Sequence, residues 1–171
     1  MADKTLSPIN QAELQDLEKK FLTVCLVLTG FILVSLASSV RVVQFPPANW
    51  LVLICSMTGF CGSSVAALIS ALNRHANGFE DSNGNQYPEP DTKKERFSKG
   101  MYYWFVFRPL LGLVTGALVY YGAVAGFFGS TLSKTGSEGL AFLGLLAGLF
   151  AKTLLDILKN AMKGMFGLKR D

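Results

Sequence analysis

Long runs without charge are the feature that most constrains how this chain can fold. No Asp, Glu, Lys or Arg occurs in residues 21–40, 50–72 or 109–133. Each run reaches the roughly 20 apolar residues that a helix needs to cross a hydrocarbon core about 30 Å thick. Core helices of water-soluble domains rarely stay free of charge over such a length. The sequence therefore predicts an integral membrane protein.

A fourth apolar segment, residues 139–158, carries Lys152 and Asp156 in its last third. Its length suits a crossing if these two side chains reach the interface, and the alternative is a helix lying on the membrane surface. With the crossing, the predicted fold class is all-α, an integral membrane four-helix bundle in residues 21–158. The expected spans are about 21–43, 50–72, 102–128 and 139–158.

The basic residues are distributed unevenly around these spans, which predicts their orientation. Twelve lie before span one, between spans two and three, or after span four. The other two loops hold only Arg41 and Lys134, while Arg108 and Lys152 fall within spans. Short loops rich in Lys and Arg stay in the cytosol. We therefore expect both termini and the loop 73–101 to be cytosolic.

The N-terminal residues 1–20 have the pattern of an amphipathic helix. Ser7 suits an N-cap and Pro8 the first helical position. The apolar residues Leu14, Leu17 and Phe21 recur on one face. Such a helix would lie on the membrane or cover a partner, or it would simply extend span one.

The loop 73–101 and the tail 159–171 form most of the remaining polar sequence. Asn77-Gly78 and Asn83-Gly84 predict turns in the loop. Thr92 and Glu95 have capping-box spacing, which predicts a basic helix that leads into span three. The tail interleaves basic and apolar residues, so we expect it to contact anionic lipid as an interfacial helix.

Small residues recur every three or four positions within the spans, and so they lie along helix faces. Helices in lipid associate largely through close backbone approach at such positions. The stripes therefore serve either to hold one bundle together or to join protomers into a homo-oligomer, which could enclose a narrow pore. The stripe residues are Gly59, Ser63, Ala66, Gly112, Gly116, Ala123, Gly126, Gly144 and Gly148.

Charged residues within spans are the usual places to look for function. Arg108 and Asp156 approach the same level of spans three and four, which predicts a charge clamp between them. The simpler interpretation is a local pair of Asp156 with Lys152 or with Lys159, since both are within helical reach. No carboxylate lies near the middle of a span, and this disfavours a proton-coupled transporter.

The sequence has no set of residues that amounts to a catalytic or metal site. His75 stands beside Arg74 without an evident nucleophile, and the three cysteines all fall inside apolar runs. The run that begins at Asp81 does not fit a calcium loop, because Gln86 stands where glycine is needed. We therefore predict no enzyme activity, cofactor or metal. The net charge of +4 is explained by topology, so no nucleic-acid partner is expected.

Two stretches resemble a set of bacterial four-span membrane proteins of unknown activity. The first is Arg108-Pro109-Leu110-Leu111-Gly112, which is similar to their start of span three. The second is Ala147-Gly148-Leu149-Phe150-Ala151-Lys152, where Ala-Lys replaces the Ser-Glu of the set. The resemblance covers the second half of the chain. It implies the bacterial inner membrane and an association with phage-defence systems.

Three functional hypotheses follow from these patterns. The leading one is a non-enzymatic membrane subunit that oligomerises and uses the loop 73–101 and both tails to hold a cytosolic protein partner. The alternative is a small ion channel or holin-like permeabiliser. The third is a lipid-modifying enzyme in which Arg108 and His75 bind a headgroup.

Overall fold

The computed structural model describes residues 11–44, 50–80, 86–87, 95–126, 136–154 and 156–157. These residues are mostly helical, which confirms the all-α prediction. The helices are α1 (Gln11–Gln44), α2 (Trp50–Ala76), α3 (Met101–Val124) and α4 (Ser137–Leu149). Three two-residue strands lie between α2 and α3, namely β1 (Phe79–Glu80), β2 (Gln86–Tyr87) and β3 (Phe97–Ser98).

Three of the described helices, α1, α2 and α3, are long and apolar enough to cross a membrane. At about 1.5 Å per residue, the 34 residues of α1 cover about 51 Å. The 24 residues of α3 cover about 36 Å on the same basis. The fourth helix has 13 residues, about 20 Å, and residues 151–154 beyond it are again helical.

The N-terminal helical residues are continuous with the first apolar run. α1 begins at Gln11 and does not break before Gln44, so residues 11–20 extend the first long helix. Leu17 and Phe21 are buried in the core, and Leu14 packs against it. The predicted apolar face thus contacts the rest of this chain. The predicted N-cap Ser7 and the proline after it lie outside the described residues.

α2 is the central helix, with α1, α3 and α4 all packed around it. Half of the residues in the most apolar stretch of α2 are buried. The corresponding fractions are 22% for α1 and 28% for α3. Small side chains make this possible, since they let three neighbours approach one helix closely. The buried small residues of α2 are Cys55, Ser56, Gly59, Cys61, Gly62, Ser63, Ser64, Ala67 and Ala71.

The segment between α2 and α3 folds back onto the helices at what we call the loop end, where α2 ends at Ala76 and α3 begins at Met101. Gly78, with φ of +100°, makes the predicted turn after α2. β1 then pairs antiparallel with β2 and parallel with β3, so that Phe79 lies opposite Phe97. The Asn83-Gly84 turn lies outside the described residues.

The predicted basic helix before span three is wrong. Glu95 and Arg96 are not helical, and Phe97 and Ser98 form β3. Thr92 lies outside the described residues. Phe97 is fully buried, and its backbone N–H donates to the carbonyl oxygen of Gly78 at 3.1 Å. Burial of this ring against the helices outweighs the local capping signal.

Candidate functional site

A seam of glycines joins α2 to both α3 and α4. We call it the glycine seam and define it as Gly59, Gly62, Gly112, Gly116, Gly144 and Gly148. Gly59 is its centre, because a Cβ there would collide with the Gly112 carbonyl oxygen and lie 3.0 Å from the Gly116 Cα. A Cβ at Gly148 would in turn lie 2.9 Å from the Gly59 Cα. Three backbones therefore meet at one residue.

Hydrogen bonds between helices fix the register of the glycine seam. The Ser63 hydroxyl donates to the carbonyl oxygen of Arg108 on α3 at 2.9 Å. The Thr115 hydroxyl of α3 donates to the carbonyl oxygen of Gly112 in its own helix at 3.1 Å, and it also lies 3.4 Å from the Ala147 carbonyl oxygen of α4. The Cys55 thiol donates to the carbonyl oxygen of Leu140 at 3.3 Å. Side-chain donors thus lie along the same contacts as the glycines.

The structure brings most of the predicted stripe residues together within one chain. Gly59, Gly112, Gly116, Gly144 and Gly148 lie in the seam, and Ser63 bonds across it. Ala123 is buried with Cys55 and Leu140 at the far end of α3, while Ala66 is half-buried on α2.

Gly126 lies elsewhere, because it follows the end of α3 with φ of +79° and has no atom within 4 Å of its Cβ position. A left-handed residue at that place commonly ends a helix. Sequence reasoning missed Gly62, whose Cβ would collide with the Leu145 carbonyl oxygen of α4. Its spacing of three from Gly59 places it beside the stripe and could have shown that the small face of α2 is wide enough to meet two helices.

Several hydroxyl groups in the apolar helices donate to carbonyl oxygens of their own helix. Thr58 donates to the carbonyl oxygen of Ile54 at 2.9 Å, and Ser64 to that of Phe60 at 2.8 Å. On α1, Ser35 donates to Ile32 at 2.9 Å and Ser39 to Ser35 at 2.8 Å. Such bonds to the preceding turn remove the need for water beside the hydroxyl.

The loop end carries a cluster of aromatic rings that joins α1, α2 and α3 to the strands. Phe97 stacks on Phe105 of α3 with ring centroids 6.0 Å apart, and meets Phe21 of α1 edge-on at 5.6 Å. Phe79 contacts Phe97 at 6.3 Å. Aromatic pairs of this geometry add to the stability from burial alone. The segment after α2 is therefore held against the helices by its own phenylalanines.

His75 belongs to this cluster. Its ring stacks on Phe21 with centroids 3.9 Å apart and meets Phe79 edge-on at 5.1 Å. The side chain is half-buried. These ring contacts are typical of a packed interior. They are contacts with side chains that are not nucleophiles.

The charged residues predicted to form a clamp do not pair in this structure. Among the described residues, the ion pairs are Lys20 with Asp16 and Arg74 with Glu95. Lys152 and Asp156 are exposed, whereas Arg108 is half-buried and its Nε is buried without a hydrogen-bond partner. The Lys152–Asp156 pair of the simpler interpretation is not formed either, and its alternative partner Lys159 lies outside the described residues.

A cavity of about 380 Å³ lies between α1, α2 and α4 at the end opposite the loop end. Its volume is within the range of about 300–1,000 Å³ that is usual for small-molecule sites. The wall combines aliphatic residues with hydroxyls, one amide and one carboxyl group. The lining residues are Ser39, Val40, Gln44, Ile54, Thr58, Ser137, Glu138 and Ala141.

The described part of the chain contains no cluster of three His, Cys, Asp or Glu side chains that could hold a metal ion. Cys25, Cys55 and Cys61 are free thiols. No protein-family model, curated protein or solved structure matches the chain. The resemblance of residues 108–112 and 147–152 to the bacterial set therefore stays a prediction, and any function has to be argued from the geometry above.

Proposed function

We propose that this chain is a non-enzymatic, multi-pass subunit of a bacterial inner membrane that presents its loop end to a cytosolic protein partner. The observation that carries the proposal is the contact of α2 with both α3 and α4 at Gly59. Backbones that touch leave no room between these helices for water, ions or a substrate. Along the glycine seam the interior therefore serves to hold the helices together.

The proposal includes four crossings by a four-helix bundle. α1, α2 and α3 have the length and hydropathy for three of them. α4 itself is short, but helical residues continue to 157 with Leu155 outside the described residues. A helix from residue 137 to residue 157 would cover about 31 Å, which matches a hydrocarbon core of about 30 Å.

The loop end is proposed as the cytosolic face because the basic residues concentrate there and in the tails. The rings of its aromatic cluster, among them Phe97 and Phe79, are buried, and charged side chains lie on the outside. Glu95 and Lys99 are exposed, and Arg74 holds Glu95 in an ion pair. A partner would thus meet a preformed polar surface. The residues between the strands and both tails complete the proposed contact region.

Self-association is proposed only through surfaces outside the glycine seam, since the seam is occupied within one chain. α1 offers such a surface, with exposed Leu26, Leu33 and Val34 and an uncovered Gly30. The channel alternative would need a pore between copies. The hydroxyl groups that could line such a pore, such as those of Thr58 and Ser64, already donate to carbonyl oxygens of their own helix. We therefore favour the subunit over the channel.

Two measurements on the purified full chain test this proposal. Reconstituted into liposomes, it is expected to give no potassium flux above that of empty vesicles. Isolated from its host in mild detergent, it is expected to carry one stoichiometric soluble protein, which is lost when Glu95 and Lys99 are both reversed in charge. Reversal of Arg41 at the opposite end is the matched control.

Either of two results would contradict the proposal. Steady flux from the reconstituted chain would establish the channel alternative. A chain that purifies without a partner, and whose charge reversal at the loop end has no effect in its host, would remove the subunit function.

A further inference from the structure

Two arginines lie near the loop end, and they differ in their partners. Arg74 forms an ion pair with Glu95. Arg108 has no ion pair among the described residues. Its side chain is half-buried, and no described residue accepts a hydrogen bond from its Nε. Arg108 therefore carries a charge that no carboxylate of the described residues balances.

Helix direction explains why the two side chains converge. α2 and α3 run antiparallel, since Gly59 contacts Gly112 while Ser63 bonds Arg108 nearer the loop end. Side chains lean toward the N-terminus of their own helix. Arg108 therefore leans toward the loop end and Arg74 leans away from it. The Arg74 Nη1 reaches the Met101 sulfur at 2.9 Å, at the first residue of α3.

The surroundings of Arg108 place this charge at the membrane. Arg108 is seven residues into α3, about 10 Å along the helix. Trp104, one turn nearer the loop end, is 46% exposed, and Phe107 is 58% exposed. Tryptophan at the end of a span is typical of the headgroup level. A guanidinium at this depth is costly unless an anion neutralises it.

We propose that Arg108 and Arg74 together bind the phosphate group of an anionic membrane lipid in the leaflet at the loop end. The proposal rests on the membrane-spanning part of the proposed function. A guanidinium matches phosphate because its planar donors can contact two oxygens at once. Glu95 keeps Arg74 oriented, whereas Arg108 brings a positive charge that has no ion pair among the described residues. The lipid chains would then lie along the outward face of α3 beside Trp104.

Tryptophan quenching by brominated lipid tests this site directly. The chain has two tryptophans, so Trp50→Phe leaves Trp104 as the only reporter. It is reconstituted in vesicles of equal parts phosphatidylglycerol and phosphatidylcholine, with bromine on the acyl chains of one lipid or the other. We expect brominated phosphatidylglycerol to quench more strongly. The enrichment should be about fivefold for each arginine that engages the lipid.

Matched variants show whether the preference for phosphatidylglycerol over phosphatidylcholine depends on Arg108. Arg108→Gln is expected to lower the preference about fivefold, to what Arg74 alone supports, and Arg108→Lys to keep more of it because the charge remains. Arg41→Gln changes an exposed arginine at the opposite end and should leave it intact. Quenching by brominated phosphatidylcholine in each variant shows that the chain is still inserted.

Contrary results of the quenching experiment would contradict the proposal in three different parts. Equal quenching by the two brominated lipids in the parent, or a preference that Arg108→Gln leaves unchanged, would overturn the site. Loss of the preference on adding inorganic phosphate would identify free phosphate as the ligand and overturn the lipid assignment. No quenching by either lipid would instead contradict membrane insertion, and with it the proposed function.

Discussion

Gly59→Ala is the substitution whose effect the glycine seam predicts most sharply. The added methyl group would collide with the Gly112 carbonyl oxygen and crowd the Gly116 Cα at 3.0 Å. These are backbone atoms, so relief requires α3 to move as a whole. Such a shift would also weaken the 2.9 Å hydrogen bond from Ser63 to Arg108.

The magnitude follows from three contributions. Overpacking of a tight core costs about 1–3 kcal/mol, and loss of one hydrogen bond adds about 0.5–1.5 kcal/mol. Replacing glycine by alanine in a helix returns up to about 1 kcal/mol. We therefore expect Gly59→Ala to lower the free energy of unfolding by about 2 kcal/mol.

Gly30→Ala is the matched control, because it makes the same chemical change in another apolar helix. Among the described residues, no atom lies within 4 Å of a Cβ placed at Gly30. This variant should therefore be neutral or more stable by up to about 1 kcal/mol. The two variants should differ by about 3 kcal/mol, somewhat more than a hundredfold in the unfolding equilibrium.

The assay is reversible unfolding in mixed micelles, with dodecyl sulfate as the denaturant and far-ultraviolet circular dichroism as the signal. The oligomeric state of each variant is measured at the same protein concentration. Equal stabilities for Gly59→Ala and Gly30→Ala would refute the packing argument. If Gly59→Ala altered only the oligomeric state, the seam would join protomers and the contacts within one chain would be the wrong account.

Three further predictions concern the loop end, the cavity and the ion pair. Phe97→Ala should lower the free energy of unfolding by about 3–5 kcal/mol and speed tryptic cleavage near the loop end. Its control is Phe107→Ala, because that ring is exposed on α3, and it should change the free energy of unfolding by less than about 0.5 kcal/mol in the same assay. Ala147→Leu should lower the free energy of unfolding by about 1–3 kcal/mol because Ala147 is buried in a packed contact. Ala141→Leu should be tolerated, since Ala141 lines the 380 Å³ cavity. Thermal unfolding in detergent compares the two variants. Glu95→Gln should lower stability by no more than about 1 kcal/mol, since that carboxylate is largely exposed; a larger loss would show that the ion pair holds the loop end.

The long helices could be predicted because lipid leaves the backbone few alternatives to helix over a charge-free run. Their ends could not be predicted as well. α1 is already helical at Gln11, ahead of the first charge-free run, and its residues Leu17 and Phe21 pack against rings that lie far away in sequence. The turn at Gly78 was predictable, since it depends only on local residues. The helix expected before span three was wrong because Phe97 is buried in a strand.

The small residues of the seam could be predicted as stripes, but periodicity does not say which helix each stripe faces. α2 uses two faces at once, with Gly59 between α3 and α4 and Gly62 against α4 alone. The aromatic cluster around His75 gave no sequence signal, because Phe79 and Phe97 are isolated rings in a polar segment. Their partners are fixed only when the strands pair.

Side-specific thiol labelling is the measurement that tests the central claim of a membrane-spanning chain most directly. The three native cysteines are replaced by alanine, and single cysteines are introduced by Lys99→Cys at the loop end and Arg41→Cys at the opposite end. Both positions are exposed, and α2 separates them. In sealed vesicles, an impermeant maleimide should label Lys99→Cys only from the cytosolic side and Arg41→Cys only from the other. Labelling of both variants from the same side would contradict the account.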